Sequence, residues 1–248
     1  MRTGRLLGAG RTADVYEMAD DVTEGGPPGE AVHEAGGHGT WVLRRYRDGW
    51  GDARAEAEVM EHVRAHGYPV PRVRTATRAD LVLERLSGPT MLDAIAAGAL
   101  PPAEAGAELA RLLHALHALP PRRSTDPATR VLHLDLHPEN VLLTPHGPRV
   151  IDWANAEEGP PGLDWGVSAV ILAQVAADAA DTADPRAPLA HAALTGLLTH
   201  QPRNAFSALT EEALTEAITR RSKNPTMSAR EVRLLDRARE LIRSAGGP

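Results

Sequence analysis

The chain has 248 residues, 33 acidic against 27 basic side chains, a net charge of −6 and no cysteine. That length allows one sizeable core or two lobes sharing one active site. The absence of thiols excludes a disulfide scaffold, a thiolate nucleophile and a sulfur-based zinc site, and the acidic balance argues against a general nucleic-acid binder.

Residues 5–18 read as strand, glycine turn, strand: Leu6 and Leu7 precede Gly8 and Gly10, and Val15 and Tyr16 resume an extended pattern. Residues 20–39 hold six glycines and two prolines with little apolar content, which predicts a flexible insertion. Residues 40–46 form a β-type run in which Val42 and Arg44 share a face. Ala55, Val59, Met60 and Val63 make one apolar stripe, predicting a helix over 52–66 that Gly67, Pro69 and Pro71 end. A further strand is expected over 80–86, before the break Ser87-Gly88-Pro89. Beyond it the pattern turns helical, with a short helix over 91–98 and a longer one over 103–119 whose Leu109, Leu112, Leu113 and Leu116 share a face. Short extended runs follow around 131–134, 141–143 and 150–151. From about 163 the chain reads as helix, apart from a break between Pro185 and Pro188. The elements predict an α+β fold in two parts, strand-rich over 1–86 and helical over 87–248.

The chemistry concentrates in residues 131–153, VLHLDLHPENVLLTPHGPRVIDW. Asp135 and Asn140 stand five apart across Pro138, so they belong to a loop, and Asp152 follows Val150-Ile151 at a strand exit. A carboxylate and a carboxamide as hard oxygen ligands, with a second carboxylate as base, suit magnesium and a phosphate ester. Taken singly, Asp135 and Asn140 read equally well as turn formers and Asp152 as a helix cap; their occurrence together with His133, in this order, carries the argument. His133-x-Asp135-x-His137 also reads as a metal-hydrolase triad, but nothing nearby supplies a clear further ligand. His114 and His117 flank the leucine stripe and read as partly buried helix residues. Neither a Walker glycine–lysine loop nor a Gly-x-Ser-x-Gly elbow is present.

HLDLHPEN followed by VIDW resembles the catalytic and metal loops of the aminoglycoside phosphotransferase and choline kinase-like family, relatives of protein kinases. The resemblance runs in order over residues 5–170. It implies a bilobal protein-kinase-like fold with a small antiparallel-sheet N-lobe for nucleotide and a mainly helical C-lobe for catalysis and acceptor binding. By resemblance Asp135 is the base that receives the acceptor's proton, and Asn140 and Asp152 are magnesium ligands. Residues 8–15, GAGRTADV, match the glycine-rich phosphate cover, giving Gly8, Gly10 and Val15 as nucleotide contacts, with Ala13 in place of the third glycine. Alone, that loop reads as well as a plain β-turn. Glu84-Arg85-Leu86 falls where the family's hinge faces adenine, which adds Glu84 and Leu86. Glu56 matches the helix glutamate that orients a phosphate-binding lysine, although Glu58 and Glu61 leave a solvated helix charge as its alternative. Asp164 matches a structural aspartate that hydrogen-bonds the catalytic loop. ATP and Mg2+ are the implied cofactors.

The sequence departs from that pattern at Arg44, which stands where the family has its strand lysine, at Leu134, where glycine is common, and at the 20–39 insertion. The only lysine in the chain is Lys223. Arginine keeps the charge, but its planar fork is larger and differently directed; Arg45 takes the place if the register slips by one. Failure of phosphate positioning would leave a nucleotide-binding pseudokinase with a regulatory role. An atypical protein kinase is the other alternative. No Ala-Pro-Glu segment follows Asp152, which favours a small-molecule hydroxyl acceptor, aminoglycoside-like or other. From Val150 to Pro185 there are seven acids and no Lys, Arg or His, forming either an acidic rim for a cationic acceptor or a solvated helix face. No nucleic acid or membrane partner is expected, because the longest mainly apolar stretch, Val167 to Ala177, falls short of the ~20 residues a bilayer crossing needs. A cytoplasmic location is expected from the need for ATP and from an N-terminal region without a signal-peptide core. The oligomeric state stays open.

Overall fold

A computed structural model describes residues 3–18, 41–47, 50–182, 184, 186–202 and 208–248; the expected insertion at 20–39 lies outside the described residues. Strands β1 (Thr3–Ala9), β2 (Ala13–Met18), β3 (Trp41–Tyr46), β4 (Val73–Ala76) and β5 (Asp80–Glu84) form one antiparallel sheet in the order β1-β2-β3-β5-β4. Helix α1 (Ala53–Ala65) follows β3; Asp52 starts it, its Oδ1 accepting from the backbone N–H of Arg54 at 3.0 Å and of Ala55 at 3.2 Å. Ala53, Ala57, Val59, Met60 and Val63 are buried along α1, as the apolar stripe requires. The strand β4 is an addition to the expected elements.

The chain divides into two compact units, Met1–Glu61 with Pro71–Leu86, and His62–Val70 with Ser87–Pro248. The second unit takes in the end of α1 and continues with α2 (Met91–Ala96), whose capping box joins Thr90 and Asp93, and α3 (Pro102–His117). Short strands follow: β6 (Arg130–Leu132), β7 (Val141–Thr144), β8 (Gly147–Val150) and β9 (Glu157–Gly159), paired as β6-β9 and β7-β8, with a 3₁₀ turn at Pro138–Asn140. The remainder is α4 (Pro161–Asp181), α5 (Ala187–Thr199), α6 (Glu211–Ser222), α7 (Ala229–Arg233) and α8 (Leu235–Ser244).

α4 is the core helix of this unit. Its length and mean hydropathy of 1.3 would suffice to cross a membrane, but 83% of that window is buried inside the protein. Around it lie the leucine stripe of α3, Leu194 and Leu197 of α5, Leu214 of α6 and Ile242 of α8, all buried. α3 and α5 meet backbone to backbone: a Cβ on Gly106 would come 2.0 Å from the Ala193 carbonyl oxygen, and one on Gly196 would come 2.2 Å from that of Ala103. Only glycine admits that approach. α6 ends at Lys223, an exposed C-cap whose N–H reaches the carbonyls of Thr219 and Arg220.

The result is a mixed α+β fold: one antiparallel sheet with its helix, and a larger, mainly helical unit.

Candidate active site

The loop from His133 to Asn140 leaves β6 and returns through the 3₁₀ turn into β7. Its backbone is pinned from below by one buried carboxylate. Asp164, at the start of α4, accepts the N–H of His133 at 2.9 Å and of Leu134 at 2.7 Å, and Nε2 of His117 at 3.0 Å. Burial opposes the charge on Asp164, but the His117 hydrogen bond and charge and the His133 backbone bond together hold its carboxyl below the ordinary value. Asp164 is therefore the anchor that the resemblance implied.

His133 is fully buried, and its two ring nitrogens have different duties. Nδ1 accepts the Asp135 N–H at 3.2 Å, which leaves the proton on Nε2 to donate to the Ile151 carbonyl at 3.1 Å. Burial keeps the imidazole below its ordinary pKa and hence neutral. The ring also packs edge-on against Trp153, centroids 4.7 Å apart. His133 thus ties the loop of residues 133–140 to the segment that follows β8 and carries Asp152, and the metal-hydrolase triad is not what its ring serves. His114 and His117 are likewise structural: His114 bonds the His200 carbonyl at 2.8 Å.

Asn140 is buried and its hydrogen bonds run through Nδ2, to Asp135 O at 2.9 Å, Asp135 Oδ2 at 3.4 Å and His137 Nε2 at 3.2 Å. That leaves Oδ1, a hard donor, for a cation. Asp152 is brought beside it by the Ile151 N–H, which donates to the Asn140 carbonyl at 3.0 Å. Leu134 and Asp152 are the two non-glycine residues at positive φ among those described, 59° and 61°. L-residues occupy that region only where surroundings impose it, and such residues concentrate at functional sites. The Asp135 carboxylate is partly exposed, 3.8 Å from His137 Nε2 and 4.0 Å from Arg221 Nη1. Asp135, Asn140 and Asp152 are thus gathered in the second unit.

In the first unit, the register sets Gly8 opposite Val15, and Val15 opposite Arg44. Directly paired residues share a face, so Val15 and Arg44 project together. Arg44 is buried and bonds Glu56 of α1, itself buried; Tyr46 donates its hydroxyl to the other Glu56 oxygen at 2.7 Å. The Arg44 guanidinium lies 4.9 Å from the centroid of the Tyr46 ring. Gly51, at φ 63°, makes room for that ring: a Cβ there would meet it at 2.3 Å. Arg45 points the other way, to Asp80 at 2.7 and 2.8 Å, which decides the register in favour of Arg44. Glu58 and Glu61 are exposed, unlike Glu56. The turn between β1 and β2 is closed by the Gly10 N–H on the Ala13 carbonyl at 2.8 Å. Glu84 closes β5, its N–H on the Arg72 carbonyl and its carboxylate on the Arg72 N–H; Leu86 lies beyond the strand.

Two contacts were not read from sequence. Tyr46 had no motif to mark it, although its i+2 spacing from Arg44 on one strand puts both on one face. Arg221 lies far along the chain on α6. The acids between residues 150 and 185 are also more engaged than an acidic rim requires. Glu157 pairs with Arg220, Asp178 with Arg230, Asp181 with Arg237 and Asp184 with Arg186, while Glu158 accepts backbone N–H groups of residues 122–124.

A family model described as "Phosphotransferase enzyme family" matches residues 31–128 and 109–203, together well over half of the chain. Similar solved structures include a thermostable mutant of aminoglycoside phosphotransferase APH(4)-Ia in ternary complex with ADP and hygromycin B, 15% identical at TM-score 0.50, covering 98% of this chain and 94% of that one. Amicoumacin kinase hAmiN in complex with AMP-PNP, Ca2+ and Ami is 15% identical at TM-score 0.50, covering 97% and 87%. The gentamicin complex of APH(2")-IIa is 11% identical at TM-score 0.53, covering 97% and 88%. At such identities the likeness is one of fold. A search of curated protein sequences gave no match.

Proposed function

Since the chain belongs to the phosphotransferase enzyme family, we propose that it moves the γ-phosphate of ATP, with magnesium, onto a hydroxyl of a small molecule. The observation that carries this reading is the pinned loop: Asp135 and Asn140 on a backbone fixed by Asp164, with Asp152 delivered beside them. Asp135 takes the hydroxyl proton as the acceptor oxygen bonds to the γ-phosphorus. The bond from that phosphorus to the β,γ-bridging oxygen breaks, and ADP leaves. Asn140 Oδ1 and the Asp152 carboxylate would hold the cation, whose chemistry when bound is to neutralise charge on the phosphate oxygens. Among the described residues no group of three or more His, Asp or Glu forms a metal cage. A cation on two protein ligands, completed by phosphate and water, fits magnesium.

In the first unit Arg44, oriented by Glu56, is the phosphate cation; Gly8, Gly10 and Val15 cover the phosphates, and Glu84 and Leu86 mark the adenine side. The ADP and AMP-PNP complexes of structural neighbours support a nucleotide substrate, and their hygromycin B and gentamicin complexes support a small-molecule acceptor. A cytoplasmic location supplies the ATP.

The test is a calorimetric titration of Mg–ATP into the wild type and Asp152→Asn, followed by ADP release over a panel of hydroxyl acceptors. Binding weakened by Asp152→Asn, and transfer reduced by Asp135→Ala about 10²–10⁴-fold, the range of a lost general base, are expected. Full turnover by Asp135→Ala would sink the assignment. Binding without any Asp135-dependent turnover would leave the pseudokinase.

A further inference from the structure

A cation stands at the carboxylate that takes the acceptor's proton. Arg221, at the end of α6, puts Nη1 4.0 Å from Asp135 Oδ1 and donates Nε to Gln174 Oε1 of α4 at 2.7 Å. Gln174 is buried and is itself held, its Nε2 donating to the Glu231 carbonyl at 2.9 Å. The guanidinium is therefore clamped to the core helix rather than swung in from solvent. Arg221 and Gln174 also line a cavity of ≈ 190 Å³ with Ile171, Arg186, Asp178 and Glu231 among its other walls, the two acids being held by Arg230 and by the Ser228 N–H. Arg221 is thus shared between that cavity and the catalytic carboxylate. Both side chains are still reachable, 18% and 23% exposed.

We infer that Arg221 is the acceptor-recognition residue, and that the acceptor carries an anionic group, a carboxylate or a phosphate, close to the hydroxyl that is phosphorylated. This rests on the phosphotransferase reading of the same site. Two observations carry it beyond that reading. The planar guanidinium fork matches carboxylate and phosphate oxygens, and here it is fixed 4.0 Å from the carboxylate assigned to the reacting hydroxyl's proton. A cationic acceptor would set like charge against Arg221, which costs affinity and excludes it. The acids that would favour such an acceptor are occupied instead: Asp178, Asp181 and Asp184 each hold an arginine. Of the seven acids that read as a rim in sequence, four, Glu157, Asp178, Asp181 and Asp184, pair with arginine in the fold.

The experiment compares acceptors that differ in one group. Glucose, glucosamine, glucuronate and glucose 6-phosphate share a ring and present a neutral, cationic, carboxylate or phosphate form; L-serine and ethanolamine differ by a carboxylate. ADP release with Mg–ATP is measured for the full-length wild type, Arg221→Gln and Arg221→Lys, with melting curves to verify folding. The expected result is a higher kcat/KM for the anionic member of a set, with that preference reduced about tenfold or more by Arg221→Gln and partly restored by Arg221→Lys. Glucuronate and serine against glucose 6-phosphate separate carboxylate from phosphate recognition. Preference for the neutral or cationic members, or Mg–ATP hydrolysis without preference for any anionic acceptor, overturns the proposal. So does an equal loss on every acceptor in Arg221→Gln, which would assign Arg221 to the transferring phosphate instead. If there is neither transfer nor any Asp135-dependent ATP hydrolysis, the phosphotransferase reading itself fails, and the acceptor assignment with it.

Discussion

Leu134 carries a backbone cost that its side chain does nothing to reduce. At φ 59° an L-residue loses roughly 1–2 kcal/mol relative to the right-handed region, and a β-branched one loses more. Leu134→Val should therefore destabilise the fold by about 1–2 kcal/mol, while Leu134→Gly leaves it unchanged or slightly more stable; urea midpoints of the two variants decide it. Protonation acts on the same loop. The folded chain holds His133 below 6.5 and Asp164 below 3.8, so each binds a proton less readily than in the unfolded chain. Their contributions are complete above those ordinary values and are lost as pH falls through the folded ones. The stability advantage of the wild type over His133→Asn should thus shrink as pH is lowered from 6.5, and the advantage over Asp164→Asn only below pH 3.8, read from melting temperatures across the range. At this scale the sequence was legible where short spacing fixes geometry, as in Asp135 to Asn140. It was silent on Arg221, because nothing in a helix end announces a partner on a distant loop.

Helices with long apolar stripes declared themselves, because α1 and α3 repeat their buried positions over several turns. The strands β4 and β9 did not: at four and three residues they are too short for alternation to register, and only their pairing partners define them. The span of α4 was underestimated for a related reason, since its first turn, Pro161 to Asp164, looks like loop until its burial is known. Packing between elements is less visible still. The α3–α5 crossing depends on Gly106 and Gly196, each against a carbonyl oxygen of the other helix. Backbone cannot yield as a flexible side chain would, so Gly106→Ala should cost about 1–3 kcal/mol by forcing the helices apart. A denaturant titration of Gly106→Ala against the exposed control Gly98→Ala, whose added Cβ meets nothing, tests this; Gly98 has φ 69°, so the control itself should lose about 1 kcal/mol from backbone strain alone.

For the molecule as a whole, ligand linkage is the most direct readout. Mg–ATP that binds only the folded chain stabilises it by about 2.7 kcal/mol at a hundredfold excess over Kd, which for a chain of this size raises the melting temperature by roughly 5–10 °C. With a chelator most of that shift should vanish; an equal shift without magnesium would discard the roles of Asn140 and Asp152. A composition in which 26 of the 27 Lys and Arg side chains are arginine has a further consequence. Lys223, the exposed C-cap of α6, is two residues from Arg221. Apart from the terminal amine, it is the one primary amine of the chain. A single amine-reactive fluorophore, attached without any engineered cysteine, would then sit on the turn that follows Arg221, and a change in its emission on adding an anionic acceptor would report binding at that arginine.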